Sequence, residues 1–97
     1  MYRLYLAGAL RVQALVALRQ GDLAATEHAL EEGLSLARAM PYAQGEGRLL
    51  KVYGQLHLAR GEPAAARVRL EEAHTIFRRL GARRDLEHVE QLLAALD

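Results

Sequence analysis

Residues 19–33 read RQGDLAATEHALEEG, and residues 59–73 read ARGEPAAARVRLEEA. The two stretches share one register. Leu18 pairs with Leu58, Gly21 with Gly61, Ala24-Ala25 with Ala64-Ala65, Leu30-Glu31-Glu32 with Leu70-Glu71-Glu72, and Arg38 with Arg78. Upstream, Leu10 and Val12 pair with Leu50 and Val52, so the offset stays at 40. A fixed period in this range is the signature of a helical repeat array. One unit cannot bury its own apolar face, and a second copy covers it.

Each unit reads as helix, tight turn, helix. The turns fall at Gln20–Asp22 and Arg60–Pro63, and each contains a glycine that can end a helix in the left-handed conformation. Asp22 suits the N-cap of the following helix, and Pro63 suits a first helical position, where no N–H is needed. Helices are expected near 2–20, 22–39, 44–60, 62–80 and 83–96. Ala66, Leu70, Ala73, Phe77 and Leu80 form one apolar stripe, and Leu86, Val89, Leu93 and Leu96 form another. Ala66, Ala73 and Gly33 are small enough for neighbouring helices to approach closely. Between the units, Ala39–Gly47 reads as a loop, because Pro41, Gly45 and Gly47 fall within nine residues. The expected fold is a single all-α domain over 1–97: one helix-turn-helix repeat at about 2–40, a second at about 44–80, and a closing helix at about 83–96.

Composition supports helices and removes several functions. Hydrophobic residues make up 52% of the chain and aromatics 5%, with Ala, Leu, Arg and Glu prominent. Thirteen basic residues face twelve acidic ones, so the balance selects neither nucleic acid nor an anionic membrane. Without cysteine there are no disulfides or thiolate metal sites, and a cytoplasmic location is the expectation. The start, MYRLYLAGALRVQALVAL, is interrupted by Arg11 and Gln13 and lacks a clean cleavage site, which argues against a signal peptide. No apolar run reaches the ~18 residues of a membrane span.

The pattern resembles the tetratricopeptide repeat family. In the second unit Leu50, Tyr53-Gly54, Gly61, Ala66, Leu70 and Ala73 carry the resemblance; in the first, Leu10, Ala14, Gly21, Leu30 and Gly33 do so less fully. The chain departs from the family in lacking Trp, in placing His57 where Tyr is usual, and in its period of 40 instead of 34. The long period and the phrase FRRLGARRDLEHVEQLL are similar to repeat regions of large bacterial signalling ATPases and of LuxR-type or MalT-like transcription regulators. The resemblance implies a stacked α-solenoid that holds a protein or peptide, as a sensor or scaffold piece of such a regulator. It implies no catalysis and no cofactor.

The residues themselves raise one enzymatic alternative. Glu71-x-x-His74 and Asp85-x-x-His88 each put a carboxylate and an imidazole on one helix face, as in di-metal carboxylate bundles. Such a centre needs inward acids from the other helices, and residues 2–20 contain none. Ser35 has no apparent base, and no phosphate loop, nucleophile elbow or H-E-x-x-H motif occurs. His28 and His57 read as partly buried helix residues. A nucleic-acid role would draw on Arg67, Arg69, Arg78, Arg79, Arg83 and Arg84, but acids interleave with them and only Phe77 is aromatic nearby.

Two surfaces are the expected binding faces. By family analogy the first helix of each unit lines a groove, which would carry Arg48, Lys51 and Gln55, then Arg11 and Leu15 one unit earlier, and His88 and Gln91 one helix later. Three cations there favour an acidic peptide or a terminal carboxylate; ordinary solvated charges are the alternative. The second surface is the first helix, apolar nearly all round. Tyr2, Tyr5, Leu6, Val12 and Val16 are its candidates for self-association as a homodimer, or for docking a neighbouring domain.

Overall fold

The computed structural model describes residues 2–97, and among them every regular element is an α-helix. The order is α1 Tyr2–Arg19, α2 Leu23–Ala39, α3 Ala43–Ala59, α4 Pro63–Leu80 and α5 Arg83–Ala94. These bounds lie within one or two residues of those read from the sequence.

Three of the four turns are built alike. Gly21, Gly61 and Gly81 sit at φ +77°, +72° and +67°. Behind each, the chain closes with paired bonds to the helix end. Asp22 N–H donates to the Ala17 carbonyl at 2.9 Å while Gly21 N–H donates to that of Leu18 at 3.1 Å. Glu62 to His57 and Gly61 to Leu58 repeat the pair, as do Ala82 to Phe77 and Gly81 to Arg78. Carbonyls left open by the helix end are satisfied this way, and glycine permits the geometry. The fourth turn keeps only the longer bond, Tyr42 N–H to the Ala37 carbonyl at 2.8 Å, because Pro41 stands where the glycine would be and has no N–H. Asp22 caps α2 by accepting from Ala25 N–H at 3.1 Å, and Pro63 opens α4.

The helices pack in chain order, α1 on α2, α2 on α3, α3 on α4 and α4 on α5, with a further contact of α1 to α3. Helix α3 therefore sits at the centre. Its Leu49, Leu50, Val52, Tyr53 and Leu56 are all buried, and Leu30 and Leu34 of α2, Leu70 and Phe77 of α4, and Val89 of α5 join them. Helix α1 buries mainly small residues, Ala7, Leu10, Ala14 and Ala17.

Two expectations need correction. Gly45 and Gly47 are not in a loop: α3 begins at Ala43, and both glycines are buried in its first turns. They are glycines because a Cβ at Gly47 would lie 2.7 Å from the Phe77 ring and one at Gly45 within 3 Å of the Tyr42 ring. Close packing outweighs the roughly 1 kcal/mol of helix propensity each loses. Leu80, read as the last member of the α4 stripe, is half exposed, because Gly81 turns the chain away before α5 can cover it. Gly33 behaves as expected, with Leu49 against the space a Cβ would take. Among the described residues no helix is long and apolar enough to cross a membrane.

Candidate functional site

The central helix α3 aims Arg48 and Lys51, one turn apart, toward α5. Arg48 Nε donates to Asp85 Oδ2 at 3.3 Å. Lys51 Nζ donates to His88 Nδ1 at 3.0 Å, so that ring nitrogen holds a lone pair and the imidazole is neutral there. Both contacts join residue i to residue i+37. The same step carried back from α3 leads from Arg48 to Arg11 and from Lys51 to Ala14. Helix α1 thus offers one cation at the corresponding level and no acid at all.

The electrostatics agree with this convergence. Burial holds the Lys51 ammonium below its ordinary range; Asp85 opposes that shift, and Arg11 and Arg48 add to it. Burial and then the Lys51 charge hold His88 below its ordinary 6.5, against the pull of Asp85. The face therefore gathers three cations from two helices around one carboxylate and one neutral imidazole. Lys51 is half-buried and paired, not an ordinary solvated lysine.

Of the residues expected in a groove, Arg11, Arg48, Lys51 and His88 come together. Gln55 is half-buried one turn beyond Lys51, and Gln91 is exposed one turn beyond His88. Leu15 is half-buried on α1, where it packs against the core cluster. Asp85 was missed as a member. Its signal was available only as a pairing across helices, because the 40-residue period would have aligned it with Gly45 while the stagger between α3 and α5 sets it against Arg48.

The carboxylate–imidazole pairs turn to separate partners. His74 reaches across to Glu90 at 3.2 Å, while Asp85 and His88 turn to Arg48 and Lys51. Among the described residues no group of three potential ligands gathers. Ser35 and His28 are exposed. His57 stacks on Tyr53 at 5.2 Å and meets Glu62 at 2.8 Å.

Tyr53 anchors a polar cluster the sequence did not reveal. Its hydroxyl donates to Glu31, Arg69 lies 4.1 Å over its ring, and Arg60 binds Glu27 at 2.7 Å. Burial, then the bond to Glu31, push the phenol well above its ordinary range, and the Arg60 bond holds Glu27 below its own. These contacts fasten α2, α3 and α4 together. No family model, curated protein or solved structure matches the chain.

Proposed function

We propose that the chain is a non-catalytic binding module of tetratricopeptide type, which receives an acidic peptide segment or terminal carboxylate across α1, α3 and α5. One observation carries the reading: Arg11, Arg48 and Lys51 share a face with a single carboxylate, and the partner of Lys51 is a neutral imidazole. A ligand carboxylate that displaced His88 from Lys51 would replace a bond from the ammonium to a neutral acceptor with an ion pair, adding charge–charge attraction. Gln55 and Gln91 flank the cations and supply neutral amide donors for a peptide backbone. The 40-residue repeat and the in-order packing of the helices support an array in which these helices share one side. The similarity to repeat regions of bacterial signalling ATPases and transcription regulators makes a sensor or scaffold piece of such a protein the setting proposed.

Fluorescence anisotropy with a labelled hexaglutamate peptide tests this. Binding should weaken steeply with added salt, and Lys51→Glu should abolish it while the helical circular dichroism persists. Undiminished binding by a folded Lys51→Glu chain refutes the assignment of the face.

A further inference from the structure

Among the described residues, five of the seven large hydrophobics left exposed lie on the first helix: Tyr2, Leu4, Tyr5, Val12 and Val16. The other two, Val68 and Leu80, stand on α4. Tyr2, Tyr5, Ala9, Val12 and Val16 follow one another at spacings of three and four, so they form a single straight stripe on α1. Tyr2 and Tyr5 are 74% and 76% exposed, Val12 and Val16 51% and 49%. Leu6, expected in the same surface, is not part of it; it is half-buried in a shallow hollow with Glu32 and Leu36 of α2.

The repeat shows what this stripe is built to do. Forty residues on, the same positions are Tyr42, Gly45, Leu49, Val52 and Leu56, where α3 packs against α2; the last four are buried and Tyr42 is half-buried. Eighty residues on they are Ala82, Asp85, Val89, Leu92 and Leu96 of the α5 region, where Val89 is buried and Ala82, Leu92 and Leu96 pack on the core. At both later levels most of the stripe is buried or half-buried within the fold, and Asp85 turns to Arg48 of α3. On α1 the same stripe is open.

We infer that a second copy of this chain covers it, with its own α1 laid antiparallel across the first about a two-fold axis near Ala9. In the copy, the faces that α2 and α4 use for covering are already occupied by α3 and α5. The far face of α5 carries acids: Glu87 and Glu90 stand where α3 has Gly47 and Leu50. The α1 stripe is the one apolar strip with matching length among the described residues. It is also self-complementary. Reversal about Ala9 sets Tyr2 level with Val16 and Tyr5 within one residue of the level of Val12, large against small, with alanine meeting alanine at the crossing. A Cβ at Gly8 would meet nothing within 4 Å, so room for a partner's tyrosine ring exists beside that crossing. The stripe carries no charge, and reversal separates the two Arg19 side chains to opposite ends, each beside the other copy's tyrosines. A contact of one helix face lies at the small end of stable interfaces, so the dimer forms and dissociates with concentration.

Light scattering across protein concentrations from about 1 µM to about 1 mM reads the equilibrium. Mass should rise from monomer to dimer, and Val12→Glu with Val16→Glu should shift the midpoint upward at least about tenfold. Val68→Glu, an equally exposed site on α4, should leave it unchanged. The chain has no cysteine, so introduced ones report orientation directly. A mixture of Tyr5→Cys and Val12→Cys chains should form the mixed disulfide dimer on mild oxidation. A chain that stays monomeric throughout, or a dimer indifferent to the glutamates, overturns the inference. Tyr5→Cys linking to itself in preference to Val12→Cys overturns the antiparallel arrangement.

Discussion

Replacing Gly54 by alanine should destabilise the fold, and replacing Gly8 by alanine should stabilise it. Both glycines lie inside helices, so each substitution gains about 1 kcal/mol of helix propensity. Only the surroundings differ. At Gly54 the new Cβ would stand 2.7 Å from both Cγ and Cδ2 of Leu70, while at Gly8 it meets nothing within 4 Å. Leu70 is fully buried, and a clash at its branching carbon is not relieved by turning the terminal methyls. Either Leu70 changes its first rotamer or α3 and α4 separate. Overpacking of this kind costs about 1–3 kcal/mol. The net effect at Gly54 is a loss of about 1 kcal/mol, which for a domain of this size is a drop of about 4–8 °C in Tm. At Gly8 the gain raises Tm by a similar amount. Thermal and urea unfolding of the two variants in dilute protein, followed by circular dichroism, measure both. A Gly54→Ala chain that melts at or above the parent, with the same gain as Gly8→Ala, refutes the close α3–α4 approach as the reason for that glycine.

Other perturbations probe separate joints. Asp22→Ala removes the side-chain acceptor for Ala25 N–H and should cost about 1 kcal/mol in urea unfolding, while Asp22→Asn should cost far less. The His88 imidazole is held below its ordinary 6.5 by burial and by Lys51, with Arg48 and Arg11 nearby and Asp85 opposing. The unfolded chain therefore binds more protons there than the folded chain, so this site's contribution is intact above pH 6.5 and is lost as pH falls through the lower folded value. Tm measured from neutral to mildly acidic pH should fall more steeply for the parent than for His88→Gln; equal slopes would remove the Lys51–His88 coupling.

The parts of the fold that could be read in advance are those whose signals are local. Gly21, Asp22, Gly61 and Pro63 set turns by their own backbone chemistry, and the helix ends fell within two residues of the expected places. Gly45 and Gly47 misled because a glycine that loosens a chain and a glycine that admits a neighbour look identical in sequence; the Phe77 ring against Gly47 is thirty residues away, and the Tyr42 ring against Gly45, though near in sequence, gives no local sign of the contact. The candidate site divides the same way. Arg48 and Lys51 share a helix face by spacing alone, and that was legible. Their pairing with Asp85 and His88 depends on a stagger of 37 between helices that repeat every 40, a quantity set by packing and not by the period.

The two proposed surfaces meet on α1, and the geometry of that helix lets both operate. At about 100° per residue, Arg11 lies roughly 140° around the helix from the centre of the Tyr2–Tyr5–Ala9–Val12–Val16 stripe. Arg11 stands at the rim of the hollow lined by Tyr5, Ala9 and Val12, and its charge also acts on Lys51, so pairing through the stripe would leave it at the edge of the contact, within reach of the cationic face. A two-fold dimer would present two cationic faces at a fixed separation. A ligand with two acidic segments would then bind its second site at an effective concentration set by the linker between them. Such a ligand should hold the dimer more tightly than either segment alone, and Val12→Glu with Val16→Glu should abolish that gain while sparing the affinity for a single hexaglutamate. Loss of the single-peptide affinity in the same variant would mean that the two surfaces are not independent, and that the stripe supports the cationic face through the body of α1.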